Sequence, residues 1–127
     1  MNAGSRGLRN RIRSQRDLLV WQESMALVED VYRCTARFPP AERFGLVAQI
    51  RRSAVSIASN IAEGSSRRTT AELLHFLYVS RGSLAELETQ IEIANRLGYL
   101  DDVRRLDDKT KTIGRLLNGL INRLRQS

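Results

Sequence analysis

The sequence predicts an all-α protein, an antiparallel up-down four-helix bundle, and three observations lead to this prediction. The chain has 127 residues, which fits one domain, and 42% of them are hydrophobic, enough to form a core. Only two prolines occur, Pro39 and Pro40, so long stretches carry no turn signal. Apolar residues recur at steps of three and four in four successive segments, which is the helical period. Short connections between such segments are typical of an antiparallel bundle.

The first two helices are predicted on either side of the proline pair. The first covers about residues 18–37, follows Asp17 as its N-cap and ends before Pro39. Its apolar stripe is Leu18, Trp21, Met25, Val28, Tyr32 and Thr35. The second covers about residues 44–63, with Gly64 as a left-handed C-cap. Its stripe is Val47, Ile50, Ala54, Ile57 and Ile61, beside a ridge of small side chains at Ala54, Ala58 and Ala62.

The third helix is predicted over about residues 70–97. Thr69 and Glu72 form a capping box at its start, and Gly98 is its C-cap. Its seam is Leu73, Leu77, Ser80, Leu84, Leu87, Ile91 and Ala94. A glycine inside a helix is unfavourable, so Gly82 is expected to mark a close backbone contact.

The fourth helix is predicted to begin after Asp101 or Asp102, which are both suited to capping. Its stripe is the most regular in the chain: Val103, Leu106, Thr110, Ile113, Leu117, Leu120 and Leu124. Further apolar residues lie off the seams of helices three and four, at Leu74, Phe76, Tyr78, Ile93, Leu116 and Ile121. This surplus predicts a second buried face and therefore a homo-oligomer.

Charge divides the chain into a tail and a bundle. The formal net charge is +7, and residues 1–16 contribute +5 of it because they hold five arginines and no acid, so the remainder nets +2. These arginines are Arg6, Arg9, Arg11, Arg13 and Arg16. We expect residues 1–16 to be a disordered basic tail and residues 17–127 to form the bundle. Such a tail attracts phosphate backbones through counterion release, although a solvated extension without a role is the alternative.

The sequence gives no indication of catalysis. Cys34 is the one cysteine and His75 the one histidine, and no metal-ligand spacing, phosphate loop or nucleophile elbow accompanies them. We therefore expect a protein that is not an enzyme and has no catalytic residue, metal or cofactor. No apolar run approaches the ~18 residues that a membrane span needs, and no secretory signal is evident. The expected location is the cytoplasm, without membrane contact.

Two pairs of arginines near the ends of helix two are the candidate nucleic-acid-binding residues. These are Arg51 and Arg52 near the start, and Arg67 and Arg68 after the end. Arginines spaced on rigid helices can hold phosphates. A polar cluster shares this helix and its exit: Gln49, Arg52, Ser56, Asn60, Glu63 and Arg67. It either contacts nucleic acid or forms a hydrogen-bond network for assembly, with Gln49, Asn60 and Glu63 as the assembly residues.

The sequence resembles the bacterial four-helix-bundle proteins of the 23S ribosomal RNA intervening-sequence type over about residues 17–125. The resemblance lies in Asp17–Gln22, Val31-Tyr32, Phe38-Pro39, Glu42–Leu46, Gln49–Arg52, Ser59–Gly64, Gly82–Thr89 and Leu97–Leu100. Three features depart from the family pattern: Ala58 stands where proline is common, Ser65 where an aromatic residue or glycine is frequent, and residues 1–16 lie outside it.

This resemblance implies a homopentamer without enzymatic activity. A related branch, the accessory protein of diversity-generating retroelements, is a basic pentameric barrel that engages nucleic acid and a reverse transcriptase. The resemblance therefore implies copies of the chain itself, RNA or DNA, and a polymerase-type protein as partners. The alternative is a structural or protein-interaction module that does not bind nucleic acid.

Overall fold

The computed structural model describes residues 15–126, where four α-helices and one short 3₁₀ helix account for nearly all regular structure. They are α1 (Gln15–Thr35), the 3₁₀ helix Pro40–Glu42, α2 (Leu46–Ser65), α3 (Thr70–Arg96) and α4 (Arg104–Gln126). No strand occurs in this part of the chain, so the all-α prediction is confirmed. Residues 1–14 of the predicted tail lie outside the described residues, and Gln15 and Arg16 already belong to α1.

Each helix packs against the next one along the chain, and α4 packs against α1. Contacts between helix ends show that α1 and α2 run in opposite directions. Arg51 near the start of α2 bonds Thr35 at the end of α1, whereas Trp21 near the start of α1 lies beside Ala62 of α2. Because each connection is short, this order of contacts is that of an up-down bundle.

The core contains the predicted stripes of α2, α3 and α4. All five stripe residues of α2 and all seven of α3 are buried. Five of the seven in α4 are buried as well, and Val103 and Leu124 are partly buried at the two ends. Ile121 is fully buried, although the sequence placed it off the seam. A step of three and four was therefore sufficient to find the core face of these three helices.

The predicted stripe of α1 is wrong in register over the middle of the helix. Met25 and Tyr32 of that stripe are 40% and 43% exposed. The sequence offers two adjacent apolar stripes on this helix, and the polar Ser24 concealed the correct one. Ser24 can be buried because its hydroxyl donates to the Val20 carbonyl oxygen at 2.7 Å. The observed core residues of this segment are Val20, Trp21, Ser24, Leu27 and Val31.

Two predicted helix ends are confirmed. The Thr69 hydroxyl accepts a hydrogen bond from the Glu72 backbone N–H at 3.1 Å, which is the N-cap half of the predicted capping box, and it donates to the Glu72 carboxylate at 2.9 Å. Gly98 follows α3 with φ of +78°, the left-handed conformation expected of a glycine after a helix. At α4, the Asp102 carboxylate accepts from the Arg104 backbone N–H at 3.0 Å.

Three other end and glycine predictions are wrong. Asp17 is not an N-cap, since it lies buried inside the first turn of α1. Gly64 does not end α2, which continues to Ser65. A Cβ atom at Gly64 would lie 2.9 Å from the Cβ atom of Phe76, so this glycine allows α3 to approach α2. A Cβ atom at Gly82 would meet nothing from a neighbouring helix within 4 Å, so this glycine marks no close contact.

Candidate nucleic-acid interface

The four candidate arginines lie near the two ends of α2. Arg52 is 13 positions before Ser65, the last residue of α2, which corresponds to about 20 Å along the helix at a rise of about 1.5 Å per residue, and Arg68 lies three residues beyond that end. A single copy of the chain therefore presents two separate basic points instead of one patch. Each point contains one arginine that is held by the fold and one that has no partner in the described part of the chain.

Arg51 is held against the end of α1. Its Nε donates to the Thr35 hydroxyl at 2.9 Å, and a terminal guanidinium nitrogen donates to the Tyr32 carbonyl oxygen at 3.3 Å. The guanidinium also lies over the Tyr32 ring, 4.4 Å from its centroid. Arg51 thus adds a second donor to a carbonyl group in the last turn of α1, which also accepts from the Ala36 backbone N–H at 3.2 Å. This arrangement ties α1 to α2.

Arg67 is held at the corner between α2 and α3. Its guanidinium pairs with the Glu63 carboxylate and lies over the Phe76 ring, 4.9 Å from its centroid. Its Nε atom is buried without a hydrogen-bond partner in the described chain. Arg67 is therefore engaged in packing. Its partner Glu63 belongs to the same polar cluster that the sequence predicted.

Arg52 and Arg68 are exposed and make no hydrogen bond, ion pair or ring contact with any residue between 15 and 126. Consecutive residues on a helix are separated by about 100°, so Arg52 points away from the α1 side that Arg51 occupies. Arg68 lies in the connection between α2 and α3. Within the candidate set, these two arginines are therefore the ones available to an external anion.

A polar cleft lies between α2 and α3 and encloses about 320 Å³. It is lined by Gln49, Arg52, Ser53, Ser56, Ser83, Glu86 and Gln90. The Ser56 and Ser83 hydroxyls are 2.8 Å apart and join the two helices, and the Asn60 side-chain amide donates to the Ser56 carbonyl and hydroxyl oxygens at 2.8 and 3.0 Å. The predicted network is therefore divided: Gln49, Arg52, Ser56 and Asn60 are in or beside the cleft, and Glu63 and Arg67 are not.

An apolar groove of about 490 Å³ lies on the other flank of α2, between α1 and α2. Its lining is Trp21, Met25, Val28, Val55, Ala58, Ser59, Ala62, Glu63 and Ser66. The sequence located surplus apolar surface on α3 and α4 instead. Tyr78 and Ile93 are indeed exposed there.

Asp30 is the most highly connected charge in the described chain, and sequence reasoning missed it. Its buried carboxylate pairs with Arg33 of α1 and with Arg105 and Lys109 of α4, at 2.7, 3.3 and 3.3 Å. Burial alone would raise the pKa of Asp30, but the hydrogen bonds from Arg33, Lys109 and Arg105 outweigh it and hold the pKa below its ordinary value. The one available signal was its spacing. Asp30 lies three residues after the buried Leu27 and therefore on the same face of α1.

Several cations at the start of α4 and beside it are held in ion pairs. Arg104 pairs with Asp102, and Arg37 of the α1–α2 connection pairs with Asp101. Arg105 and Lys109 are directed to Asp30. These cations are consequently less available to an external phosphate than Arg52 and Arg68.

Cys34 and His75 lie at different ends of the bundle. Half-buried Cys34 lines a small internal space with Ile91 and Ala94, near the end of α3. Exposed His75 is near the start of α3, with its ring against Phe76. Burial raises the pKa of the Cys34 thiol, and the nearby Asp30 carboxylate raises it further.

Metal coordination and membrane crossing both lack a structural basis within residues 15–126. No group of three histidine, cysteine, aspartate or glutamate side chains is arranged there to hold a metal ion. None of the described helices combines the length and the apolar character that crossing a bilayer requires.

Comparison with known proteins identifies similarity at the level of family and fold. The family model described as 23S rRNA-intervening sequence protein matches residues 16–119. The fold is similar to a crystal structure from Bacteroides thetaiotaomicron, described as a protein with unknown function from the S23 ribosomal protein family. The two have 22% sequence identity and a TM-score of 0.78, over 85% of this chain and 99% of that chain. No curated protein matches the chain significantly.

Proposed function

The chain belongs to the 23S rRNA-intervening sequence protein family, and from that premise we propose that it is a non-enzymatic module that self-assembles and binds nucleic acid. The observation that carries this proposal is the pair of exposed arginines near the two ends of α2, Arg52 and Arg68, which have no partner among residues 15–126. Phosphate contacts of this kind give affinity without reading base sequence. Arg51 and Arg67 support the surface by fixing α2 against its neighbours.

Repetition would strengthen such a weak surface. Two phosphate contacts per copy provide little affinity, but a closed ring presents the same pair several times to one strand. The apolar groove between α1 and α2 supports self-assembly, because Met25 and Val55 are each 40% exposed there beside Trp21. A groove on one face that receives a different face of the next copy generates a ring when the rotation closes. Five copies is the number that the family resemblance implies.

The proposal is tested by light scattering with and without a single-stranded RNA, at low and at moderate salt. We expect an assembly of about five times the 14.4 kDa chain, which gains mass with RNA at low salt and loses it as salt rises. A particle with the mass of one chain would contradict the assembly. A ring that ignores RNA at every salt concentration would contradict nucleic-acid binding.

Charge reversal tests the two arginines directly. In Arg52→Glu/Arg68→Glu, RNA affinity at low salt should fall by about tenfold or more, and the salt dependence should become shallower, since each lost phosphate contact reduces its slope by roughly 0.7 for a single strand. Fluorescence anisotropy of a labelled oligonucleotide measures both. The matched control is Lys111→Glu/Arg115→Glu, which reverses two exposed cations of α4 that do not line the polar cleft. Equal weakening in the control would show that net charge, and not this surface, is responsible.

A second candidate function is a protein-interaction module without nucleic-acid binding. The apolar lining of the groove favours it, because the same recess fits an apolar helix face of another protein, such as a polymerase-type partner. Binding of that kind depends only weakly on salt, whereas phosphate binding depends on it steeply. The salt series therefore separates the two functions.

A further inference from the structure

The polar cleft between α2 and α3 contains a hydrogen-bond acceptor that the fold leaves without a partner. Gln90 of α3 is 9% exposed, and its Oε1 atom is buried with no donor in the described chain. A buried polar atom without a partner is unfavourable, and native proteins retain few of them. Gln90 lines the cleft, so a turn of its side-chain amide brings this oxygen to a donor that enters the cleft.

Two opposite charges line the same cleft without pairing. Arg52 of α2 and Glu86 of α3 both face this space, yet neither makes an ion pair or a hydrogen bond with a residue between 15 and 126. The cleft thus offers one free guanidinium for an anion and two free acceptors, the Glu86 carboxylate and the Gln90 oxygen, for donors. A ligand that matches it carries an anionic group next to hydroxyl or N–H groups.

The remaining lining is small and polar. Ser53 and Ser83 are buried, and the hydrogen bond between the hydroxyls of Ser56 and Ser83 holds the walls together. The volume of about 320 Å³ is at the lower end for small-molecule sites, on the order of 300 Å³ and above. No aromatic ring lines the cleft, so it offers no surface on which a base could stack. It suits a sugar and its phosphate better than a base.

We propose that the cleft binds the ribose-phosphate backbone of single-stranded RNA, with Arg52 on a phosphate and Glu86 and Gln90 accepting hydrogen bonds from the ribose 2′-hydroxyl. The two acceptors share that one proton, so weakening or removing either of them reduces the preference. The 2′-hydroxyl is the group by which proteins distinguish RNA from DNA at a given site. DNA brings the phosphate but not the donor, so it leaves the Gln90 oxygen unsatisfied and the Glu86 charge facing the strand. This inference rests on the proposed nucleic-acid binding and adds a preference for RNA.

The experiment compares RNA and DNA oligonucleotides of the same sequence, free of secondary structure, at one low salt concentration. Wild-type protein should bind RNA about tenfold more tightly, which is the size of effect expected from one hydrogen bond to a charged group. In Glu86→Gln and Gln90→Leu the RNA-to-DNA ratio should fall towards one. In Arg52→Gln both affinities should fall together, because each strand has the phosphate.

Glu88→Gln is the matched control for Glu86→Gln. Glu88 is exposed on the same helix, has no partner in the described chain and does not line the cleft, so it removes the same charge elsewhere. The control should raise RNA and DNA affinities equally and leave their ratio unchanged. Equal binding of RNA and DNA by the wild type would overturn the RNA preference but not the proposed function. Absence of binding to either strand would overturn both.

Discussion

Each flank of α2 carries a recess that forms in the same way, but one recess is apolar and the other is polar. On both flanks small side chains of α2 leave a recess beside the neighbouring helix: Ala58 and Ala62 towards α1, and Ser53 and Ser56 towards α3. The neighbour then decides the character of the recess. Helix α1 contributes Trp21, Met25 and Val28, whereas α3 contributes Ser83, Glu86 and Gln90. The small side chains of α2 therefore determine where the recesses form, and the side chains of the neighbouring helix determine what each recess can bind.

The largest expected effect comes from placing charge in the apolar groove. In Met25→Glu/Val55→Glu the assembly should dissociate to the 14.4 kDa chain, because two unpaired carboxylates would be buried at the contact. The bundle itself should remain helical by circular dichroism, since both side chains are already 40% exposed.

The control for the groove variant is Leu19→Glu, at a residue of α1 that is 45% exposed and does not line the groove. Its mass should equal that of the wild type. If the groove variant also keeps the wild-type mass, the groove is not the assembly surface. A groove variant that dissociates but still prefers RNA over DNA would show that the two flanks act separately.

The Asp30 cluster provides a region outside both flanks, where a change should affect stability alone. Asp30→Asn should lower the free energy of unfolding by about 2 kcal/mol, because it removes a buried carboxylate that three cations share. The exposure of Arg33 and Arg105 keeps the effect below that of a fully buried pair. Urea denaturation measures it. Asp101→Asn, at a pair exposed on both sides, should change stability by less than about 0.5 kcal/mol.

The pH dependence of the free energy of unfolding should include a contribution from the Asp30 carboxylate. The pKa of Asp30 in the folded chain is below its ordinary value of 3.8, so the folded state is the weaker proton acceptor. Its contribution is therefore complete above the ordinary pKa and is lost as the pH falls through the lower, folded value. Asp30→Asn should lack this component of acid destabilisation. Parallel stability curves for variant and wild type below about pH 4 would contradict the assignment.

The smallest expected effect is a gain of stability on the polar flank. Gln90→Leu removes the buried acceptor without a partner, so the free energy of unfolding should rise by about 1 kcal/mol while the RNA preference is lost. Gln49→Leu, at an exposed residue of the same cleft, should change stability by less than about 0.5 kcal/mol. A loss of stability in Gln90→Leu would show that the glutamine has a structural role.

Periodicity predicted most of the fold but could not choose between two stripes on one helix. In α2 and α3 the seam followed steps of three and four without a competing choice, and every predicted core position is buried. In α1 the correct stripe contains Ser24, whose burial depends on a hydrogen bond to its own helix. Their positive charge likewise identified Arg51 and Arg52 as candidates, but it did not show which of the two is held by contacts with another helix. The distinction depends on Thr35 and Tyr32, which lie on another helix.

The candidate site was the less predictable part for the same reason. Gln90 and Glu86 are ordinary polar residues on α3, and only the packing of α3 against α2 places them beside Arg52. Gly64 suggested a helix end because glycine commonly follows helices, yet contact with Leu73 and Phe76 is what requires it. Contacts between elements far apart in sequence leave no local pattern.

Gly64 also influences the distance between two positive charges on the surface of the protein. Its missing side chain lets α3 begin directly against the last turns of α2, so only residues 66–69 separate the two helices. Arg68 lies in that short turn, and its distance from Arg52 is fixed by a straight helix at one end and a tight corner at the other. The bundle thus holds two positive charges apart by roughly 20 Å of helix between Arg52 and Ser65 together with the turn that contains Arg68. A larger residue at the corner would alter the spacing of the charges, and with it the phosphates that one strand can bring to both.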